Sequence, residues 1–217
     1  MLLACLTVVA ALAGVGSAQF VNGRKLELPV PSLCAGRTTD ATSPAGSNYF
    51  YSWRRPEIDE EDWLGSRNYC RMRCMDTVSL ETTAENEWIK NVIAQENVNQ
   101  VWTSGRICDF KGCDREDLQP RHINGWFWTA IFKKMAPTTD RVQNDWSHTG
   151  PLGTPQPDTT NVIQHQTENC LAILNNHYGD GIRWHDVPCN KRRFFICEDS
   201  DELLRYVRYT NPELHIR

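Results

Sequence analysis

Cysteine is the residue type with the clearest chemical role in this sequence of 217 residues, which has nine of them. Cys5 lies in an N-terminal segment that we expect to be removed, and an even number of cysteines in a secreted chain predicts disulfides, here four with 105 conceivable pairings. Seven residues separate Cys189 from Cys197, whereas zinc ligands usually come as two close pairs, so disulfides are favoured over a zinc site. The remaining eight cysteines are Cys34, Cys70, Cys74, Cys108, Cys113, Cys170, Cys189 and Cys197.

The groups that catalysis requires are not recognisable in the sequence. It has no G-x-S-x-G and no H-E-x-x-H sequence, and its six histidines are scattered. If all eight cysteines form disulfides, no thiol is left to act as a nucleophile. We therefore predict that the protein is not an enzyme.

The N-terminal segment, residues 1–18, indicates the compartment. It is an apolar run with Gly16 and Ala18 at positions −3 and −1 of a cleavage site, as in a secretory signal peptide. The run of roughly 15 apolar residues is shorter than the ~20 that a membrane-spanning helix needs. We expect a secreted, extracellular protein that begins at Gln19; since no Lys or Arg precedes the run, an uncleaved anchor is the alternative.

Composition and charge predict a folded protein and argue against a nucleic-acid partner. The chain is 40% hydrophobic and 23% charged, which predicts a packed core. The net charge is −4 and no basic stripe is present, so we predict that the protein does not bind nucleic acid. No N-x-S/T sequence occurs, so N-glycosylation is not expected.

Three helices are predicted from the spacing of apolar residues. The first spans residues 60–73, and the second begins at a capping box at residues 82–85. A short amphipathic helix is predicted over residues 199–209. The residues predicted to line the apolar faces of these helices are Trp63, Cys70, Cys74, Trp88, Ile89, Val92, Ile93, Leu203, Leu204 and Val207.

Short strands and long loops make up the rest of the chain. Residues 133–168 contain several prolines and little apolar periodicity, and a loop of this length is often functional. Residues 19–46 are predicted to form an irregular arm. Strands are predicted over residues 48–53, 75–80, 101–104, 125–129, 170–174, 182–184 and 194–197.

Four motifs follow one another in the second half of the chain: Q-P-D at 156–158, E-N-C at 168–170, W-H-D at 184–186 and F-I-C-E at 195–198. With the preceding helices and strands, they make the segment 47–199 resemble a C-type lectin domain. The resemblance implies an α+β, double-loop fold with two helices and two small antiparallel sheets, stapled by disulfides. The extra cysteines and long loops resemble secreted arthropod C-type lectins, such as the Schlaff type that is linked to insect cuticle.

This resemblance also implies a division of the chain and part of the disulfide pairing. It implies the bridges Cys70–Cys197 and Cys170–Cys189, and it leaves four cysteines with three pairings open. Because Cys108 and Cys113 are close in sequence, we favour Cys108–Cys113 together with Cys34–Cys74; Cys74 stands where the family usually has a glycine. The expected segments are the signal peptide (1–18), an N-terminal arm (19–46), a C-type lectin-like domain (47–199) and a C-terminal helical tail (200–217).

The resemblance further implies a site at which Ca²⁺ and a sugar bind together. Ca²⁺ takes six to eight oxygen ligands, and the residues that match the family's ligand positions are Gln156, Asp158, Glu168 and Asp186. Pro157 would follow a cis peptide bond, a conformation that is essentially confined to X-Pro. In the family, the Q-P-D order tends to accompany galactose-type sugars.

His185 departs from the family pattern, which has an asparagine ligand at this position of the carbohydrate-binding set. An imidazole nitrogen is a poor ligand for Ca²⁺ and favours softer metals such as Zn²⁺. Two alternatives therefore stay open: a Ca²⁺-dependent sugar site, or a metal site that is weak, altered or absent. Taken alone, Gln156-Pro157-Asp158 also fits a plain turn, and Trp184 is predicted to be a core residue.

The sequence thus predicts a secreted carbohydrate-recognition module that binds an extracellular glycan or a matrix polysaccharide, in cuticle or in immunity. The alternative is a metal-independent module that binds protein or has a structural role in the extracellular matrix. The acidic run 57–62 and the basic run 191–193 are two charged patches that we interpret as solvated surfaces rather than partner sites.

Overall fold

The computed structural model describes residues 24–158, 160–161 and 166–216. The predicted signal peptide, with Cys5, lies outside the described residues. The helices are α1 (Pro31–Ala35), α2 (Trp63–Arg71), α3 (Thr83–Gln95), α4 (Arg121–Asn124) and α5 (Asp201–Thr210). The strands are β1 (Ala41–Thr42), β2 (Asn48–Tyr51), β3 (Met75–Thr77), β4 (Gln100–Ile107), β5 (Trp126–Trp128), β6 (Lys133–Lys134), β7 (Thr160–Asn161), β8 (Gln166–Thr167), β9 (Cys170–Asn175), β10 (Ile182–Val187) and β11 (Phe194–Asp199).

Helix α2 begins where Asp62 caps it, since the Asp62 carboxylate accepts a hydrogen bond from the backbone N–H of Gly65. It buries Trp63 and Cys70 against the sheet. The prediction that Cys74 lies on the same helical face is wrong, because the helix ends at Arg71. Cys74 has a φ of 60°, in the left-handed region that favours glycine. This turn leads the chain directly into β3.

Helix α3 confirms the predicted capping box: the Thr82 hydroxyl accepts a hydrogen bond from the N–H of Glu85. Its apolar stripe faces the main core, where Ile89 and Ile93 are fully buried. Trp88 and Val92 of the same stripe are partly buried against that core. The capped N-terminus and the apolar stripe together place α3 on the sheet.

The resemblance implies two small antiparallel sheets, and in the structure strand β11 belongs to both groups of strands. Its second half pairs antiparallel with β2 and β3, and its first half pairs parallel with β4. Strand β4 also pairs antiparallel with β5 and β9, and β9 pairs with β10. The result is one nine-stranded network, beside which β7 and β8 form a two-stranded ribbon.

Tryptophan dominates the core on the side of β10. Trp184 packs edge to face against Trp128 and Trp146, with ring centroids 5.2 and 6.0 Å apart, and only 3% of Trp184 is exposed. Trp184 also donates a hydrogen bond from its indole N–H to Asn86 of α3. The prediction that Trp184 is a core residue is confirmed. Its packing fixes the position of β10 two residues before Asp186, one of the predicted cation ligands.

All eight cysteines of the described chain form disulfides, and the favoured pairing is confirmed. Cys34–Cys74 connects α1 to the turn before β3 and packs with Leu204 and Val207 of α5. The N-terminal arm is therefore less irregular than predicted, since it contains α1 and β1. The other bridges are Cys70–Cys197, Cys108–Cys113 and Cys170–Cys189.

Within the described ranges, no helix combines the length and the apolar character that a membrane span would require.

Candidate functional site

The long proline-containing segment is held against the edge of β10 by backbone hydrogen bonds. Ser147 N–H donates to the Trp184 carbonyl over 2.9 Å, and Trp184 N–H donates to the Asp145 carbonyl over 3.0 Å. Further along, Gln156 N–H donates to the Ser147 carbonyl over 2.9 Å. These bonds bring the Q-P-D motif next to the end of β10, although the segment between has little regular structure.

Three of the predicted cation ligands converge beside β10. One carboxylate oxygen each from Asp158, Glu168 and Asp186 lie within 4.8 Å of one another. Asp186 is a residue of β10, Glu168 stands just before β9, and Asp158 comes from the long loop. The N–H of Asp158 donates to Asp186 Oδ1 over 3.3 Å, so loop and strand contact each other directly. Glu168 and Asp186 are 5% and 2% exposed.

Gln156 lies beside these carboxylates and is buried. Its Nε2 donates hydrogen bonds to Asp158 Oδ2 over 3.1 Å and to the Thr154 carbonyl over 3.4 Å. The Gln156–Pro157 peptide bond is cis, as the resemblance implies. A Cβ atom at Gly150 would overlap the side-chain amide of Gln156, so glycine leaves the space that this side chain occupies.

His185 is not among the converging groups. Its Nε2 lies 2.8 Å from Asp180 Oδ2, and its ring centroid is 5.3 Å from that of Tyr178. The residue is 2% exposed, and its Nδ1 is buried without a hydrogen-bond partner among the described residues. The side chain at the position of the family's asparagine ligand is therefore oriented toward Asp180.

Asp180 and Ser147 are residues of the site region that the sequence did not single out. The Ser147 hydroxyl is hydrogen-bonded to Asp180 Oδ2, the same oxygen that His185 contacts. Asp180 lies in the turn between β9 and β10, where a Gly-Asp-Gly sequence is ordinary turn chemistry. No motif marks Ser147 either, so only the tertiary contacts assign a role to these two residues.

The protonation states of this pair follow from its surroundings. Burial acts to raise the pKa of Asp180, but the hydrogen bond from Ser147 and the nearby His185 outweigh it and lower that pKa. For His185, burial lowers the pKa, and the neighbouring Asp180 offsets only part of this effect. Asp180 is thus ionised at neutral pH, and an ionised carboxylate only accepts hydrogen bonds. The shared proton therefore belongs to Nε2 of a neutral imidazole.

The donor set fits a hard divalent cation. Three carboxylates offer up to six oxygens, and Ca²⁺ takes six to eight oxygen ligands from flexible loops. Asp158, Glu168 and Asp186 would hold such an ion, with the Gln156 side chain next to them. Since burial of like charges is unfavourable without compensation, a cation between these carboxylates would also stabilise their approach.

Comparison with known proteins finds relatives among solved structures and none by sequence. No protein-family model matches the sequence, and no curated protein matches it. Among solved structures, a Ca²⁺-dependent type II antifreeze protein in its Ca²⁺-free form is 20% identical and covers 75% of this chain and 98% of its own, with a TM-score of 0.50.

Two further solved structures are C-type lectin-like domains. The mouse scavenger receptor C-type lectin carbohydrate-recognition domain is 17% identical, with a TM-score of 0.49, and covers 74% of this chain and 93% of its own. Human lithostathine is 19% identical, with a TM-score of 0.46, and covers 74% of this chain and 86% of its own. With its helices, shared sheet and four disulfides, the chain has the C-type lectin fold.

Proposed function

We propose that this protein is a secreted glycan-binding module whose site contains a divalent cation, Ca²⁺. The observation that carries the proposal is the approach of Asp158, Glu168 and Asp186, one oxygen of each within 4.8 Å of the others. They come from three separate segments, so only the fold brings them together.

Such a site binds sugar through two kinds of contact at once. Two adjacent hydroxyls of a sugar would complete the oxygen shell of the cation, while the same carboxylates and the Gln156 amide accept or donate hydrogen bonds to these hydroxyls. Extracellular glycans present such pairs wherever two neighbouring ring carbons both carry a free hydroxyl, which in chitin is the case only at the non-reducing ends. We therefore propose a matrix polysaccharide or another extracellular glycan as the ligand, with a role in cuticle or in immunity.

An extracellular location is part of the same proposal. Four disulfides are a framework that persists in oxidising compartments, and the predicted signal peptide would direct the chain there. The arthropod, cuticle-associated type implied by the sequence resemblance belongs to this proposal as well.

Titration calorimetry with CaCl₂ at neutral pH tests the cation site. We expect the wild type to bind Ca²⁺, and we expect Asp158→Asn and Asp186→Asn each to weaken binding at least about tenfold, because a neutral amide replaces an anionic ligand. Glu87→Gln is the matched control, since Glu87 is exposed on α3 and should leave Ca²⁺ binding unchanged. No heat from Ca²⁺ in the wild type would contradict the cation site.

A glycan array and a pull-down with chitin, each with Ca²⁺ and with EDTA, test the ligand class. Binding that EDTA abolishes supports the proposal. Binding to neither glycan nor chitin would instead favour the alternative, a metal-independent module that binds protein or has a structural role in the matrix.

A further inference from the structure

Ser147, Asp180 and His185 form a buried chain of hydrogen bonds beside the three converging carboxylates. Asp180 Oδ2 lies 2.8 Å from His185 Nε2 and is also hydrogen-bonded to the Ser147 hydroxyl. The side chains of His185 and Asp180 are 2% and 5% exposed. Turning the imidazole away from Asp180 would leave its buried N–H without this partner, while Asp180 Oδ2 would keep the Ser147 hydroxyl.

This contact decides which atoms are offered to a cation. His185 directly precedes Asp186 in β10, where successive side chains point to opposite faces, but the charge of Asp158 acts on its imidazole, so the ring lies near the site. It does not belong to the group of atoms that converge within 4.8 Å. The converging atoms are all carboxylate oxygens, which suit a hard cation. An imidazole nitrogen in the same place would shift the preference toward a softer cation such as Zn²⁺.

We infer that Asp180 determines the cation specificity of this site: by holding the His185 imidazole through Nε2, it keeps a nitrogen ligand away from the cation and favours Ca²⁺ over Zn²⁺. The inference rests on the proposed function, because it assumes that the three carboxylates hold a cation. Asp180 does not touch the cation; it is a positioning residue that acts through His185. Ser147 supports it by occupying the same carboxylate oxygen.

Calorimetric titration of the mature protein with CaCl₂ and, separately, with ZnCl₂ tests this role. The wild type should bind Ca²⁺ more tightly than Zn²⁺. In Asp180→Ala, the released imidazole should tighten Zn²⁺ binding. The ratio of the Zn²⁺ Kd to the Ca²⁺ Kd should therefore fall about tenfold, because residues that contact a metal ligand change metal affinity by about this factor. A merely structural defect would weaken both cations together and leave the ratio unchanged.

Two further variants make the test specific. Asp180→Asn keeps a carbonyl oxygen that can accept from Ser147 and His185, so it should keep the wild-type ratio. The double variant Asp180→Ala/His185→Gln has no imidazole to release and should lose the gain in Zn²⁺ affinity; a gain that persists would point to His177 or another histidine and overturn the inference. Thermal unfolding in EDTA checks that each variant is folded.

The outcomes separate this inference from the proposed function. If the wild type binds neither cation, the proposed function fails and the inference fails with it. If the wild type binds Ca²⁺ and Asp180→Ala weakens both cations equally, only the inference is overturned. If the wild type prefers Zn²⁺ and Asp180→Ala weakens Zn²⁺, Asp180 supports His185 as a metal ligand, which is the opposite of the inferred role.

Discussion

Arg67 and Asp76 show how a buried charge pair connects a helix to the sheet. Arg67 of α2 donates to both carboxylate oxygens of Asp76 in β3, over 2.8 and 2.6 Å, and a third bond reaches the Thr129 hydroxyl. Burial acts to raise the pKa of Asp76, but the charge of Arg67 and its hydrogen bonds outweigh it and lower that pKa. The ionised pair is therefore part of the folded state at neutral pH.

Arg67→Ala should lower the free energy of unfolding by about 3 kcal/mol, because it leaves the buried Asp76 carboxylate with less compensation. Urea denaturation at neutral pH measures this change. Arg115→Ala removes an equally bidentate partner from Asp117, but that pair is exposed to solvent, so its effect should be much smaller than that of Arg67→Ala. An equal loss of unfolding free energy in the two variants would contradict the view that burial makes the Arg67–Asp76 pair the more important one.

At the scale of elements, a cluster of acidic groups joins β2, α3 and β11. The Tyr49 hydroxyl lies 2.5 Å from Glu85 Oε1 and 3.2 Å from Glu198 Oε1. Its single proton can serve only one of these carboxylates. Burial, with the charge of Glu198, raises the pKa of Glu85 to about 8, and burial, with the charge of Glu81, raises that of Glu198 to about 7.

These raised pKa values predict that stability decreases as pH rises from about 5 to about 8. An unfolded Glu titrates near 4.3, so in this window the folded state binds more protons than the unfolded state, and the slope of unfolding free energy against pH is negative. Asp76 and Asp180, whose pKa values are lowered, act in the opposite direction, but only below about pH 4. The lowered pKa of His185 also opposes the decrease, up to about pH 6.5, but it is one group against two. Glu85→Gln should reduce the decrease, as measured by urea denaturation at pH 5, 6.5 and 8.

The matched control for this pH dependence is Glu87→Gln, an exposed position on the same helix. It should keep the wild-type decrease in stability between pH 5 and 8. A wild-type stability that rises over this window, or a Glu85→Gln profile identical to that of the wild type, would contradict the shared-proton interpretation.

For the whole molecule, the disulfides should stabilise the fold to different extents, because they close loops of different length. Cys70–Cys197 spans 127 residues and Cys108–Cys113 only five. By loop-closure entropy, replacing both cysteines by serine should cost about 5 kcal/mol for the first bridge and about 2 kcal/mol for the second. Denaturation by guanidinium measures both, and a larger loss from the short bridge would contradict the entropic account.

The mature protein should also contain no free thiol. Thiol titration of the denatured, non-reduced protein should detect none, because all eight cysteines outside the predicted signal peptide are paired. Two or more reactive thiols would contradict the pairing, and peptide mapping would show which bridge is absent.

Local patterns were enough to predict much of the fold. The Thr82 cap and the apolar stripe of α3 depend on residues three or four apart, so a short window of sequence contains their physical cause. The even number of cysteines predicted four disulfides. The family resemblance implied Cys70–Cys197 and Cys170–Cys189, and the short distance from Cys108 to Cys113 favoured that bridge together with Cys34–Cys74. The motif resemblance located Asp158, Glu168 and Asp186, whose oxygens the structure brings within 4.8 Å.

Long-range contacts decided the rest. The two predicted sheets merge because different halves of β11 pair with β4 and with β2, and no local pattern of β11 specifies both partners. Cys74 lies outside the helix, in a turn with a left-handed backbone, and from there it is bonded to Cys34, which is 40 residues away. The orientation of His185 depends on Asp180 and Ser147, which are 5 and 38 residues away, and a hydrogen bond between such residues exists only once the loops have packed.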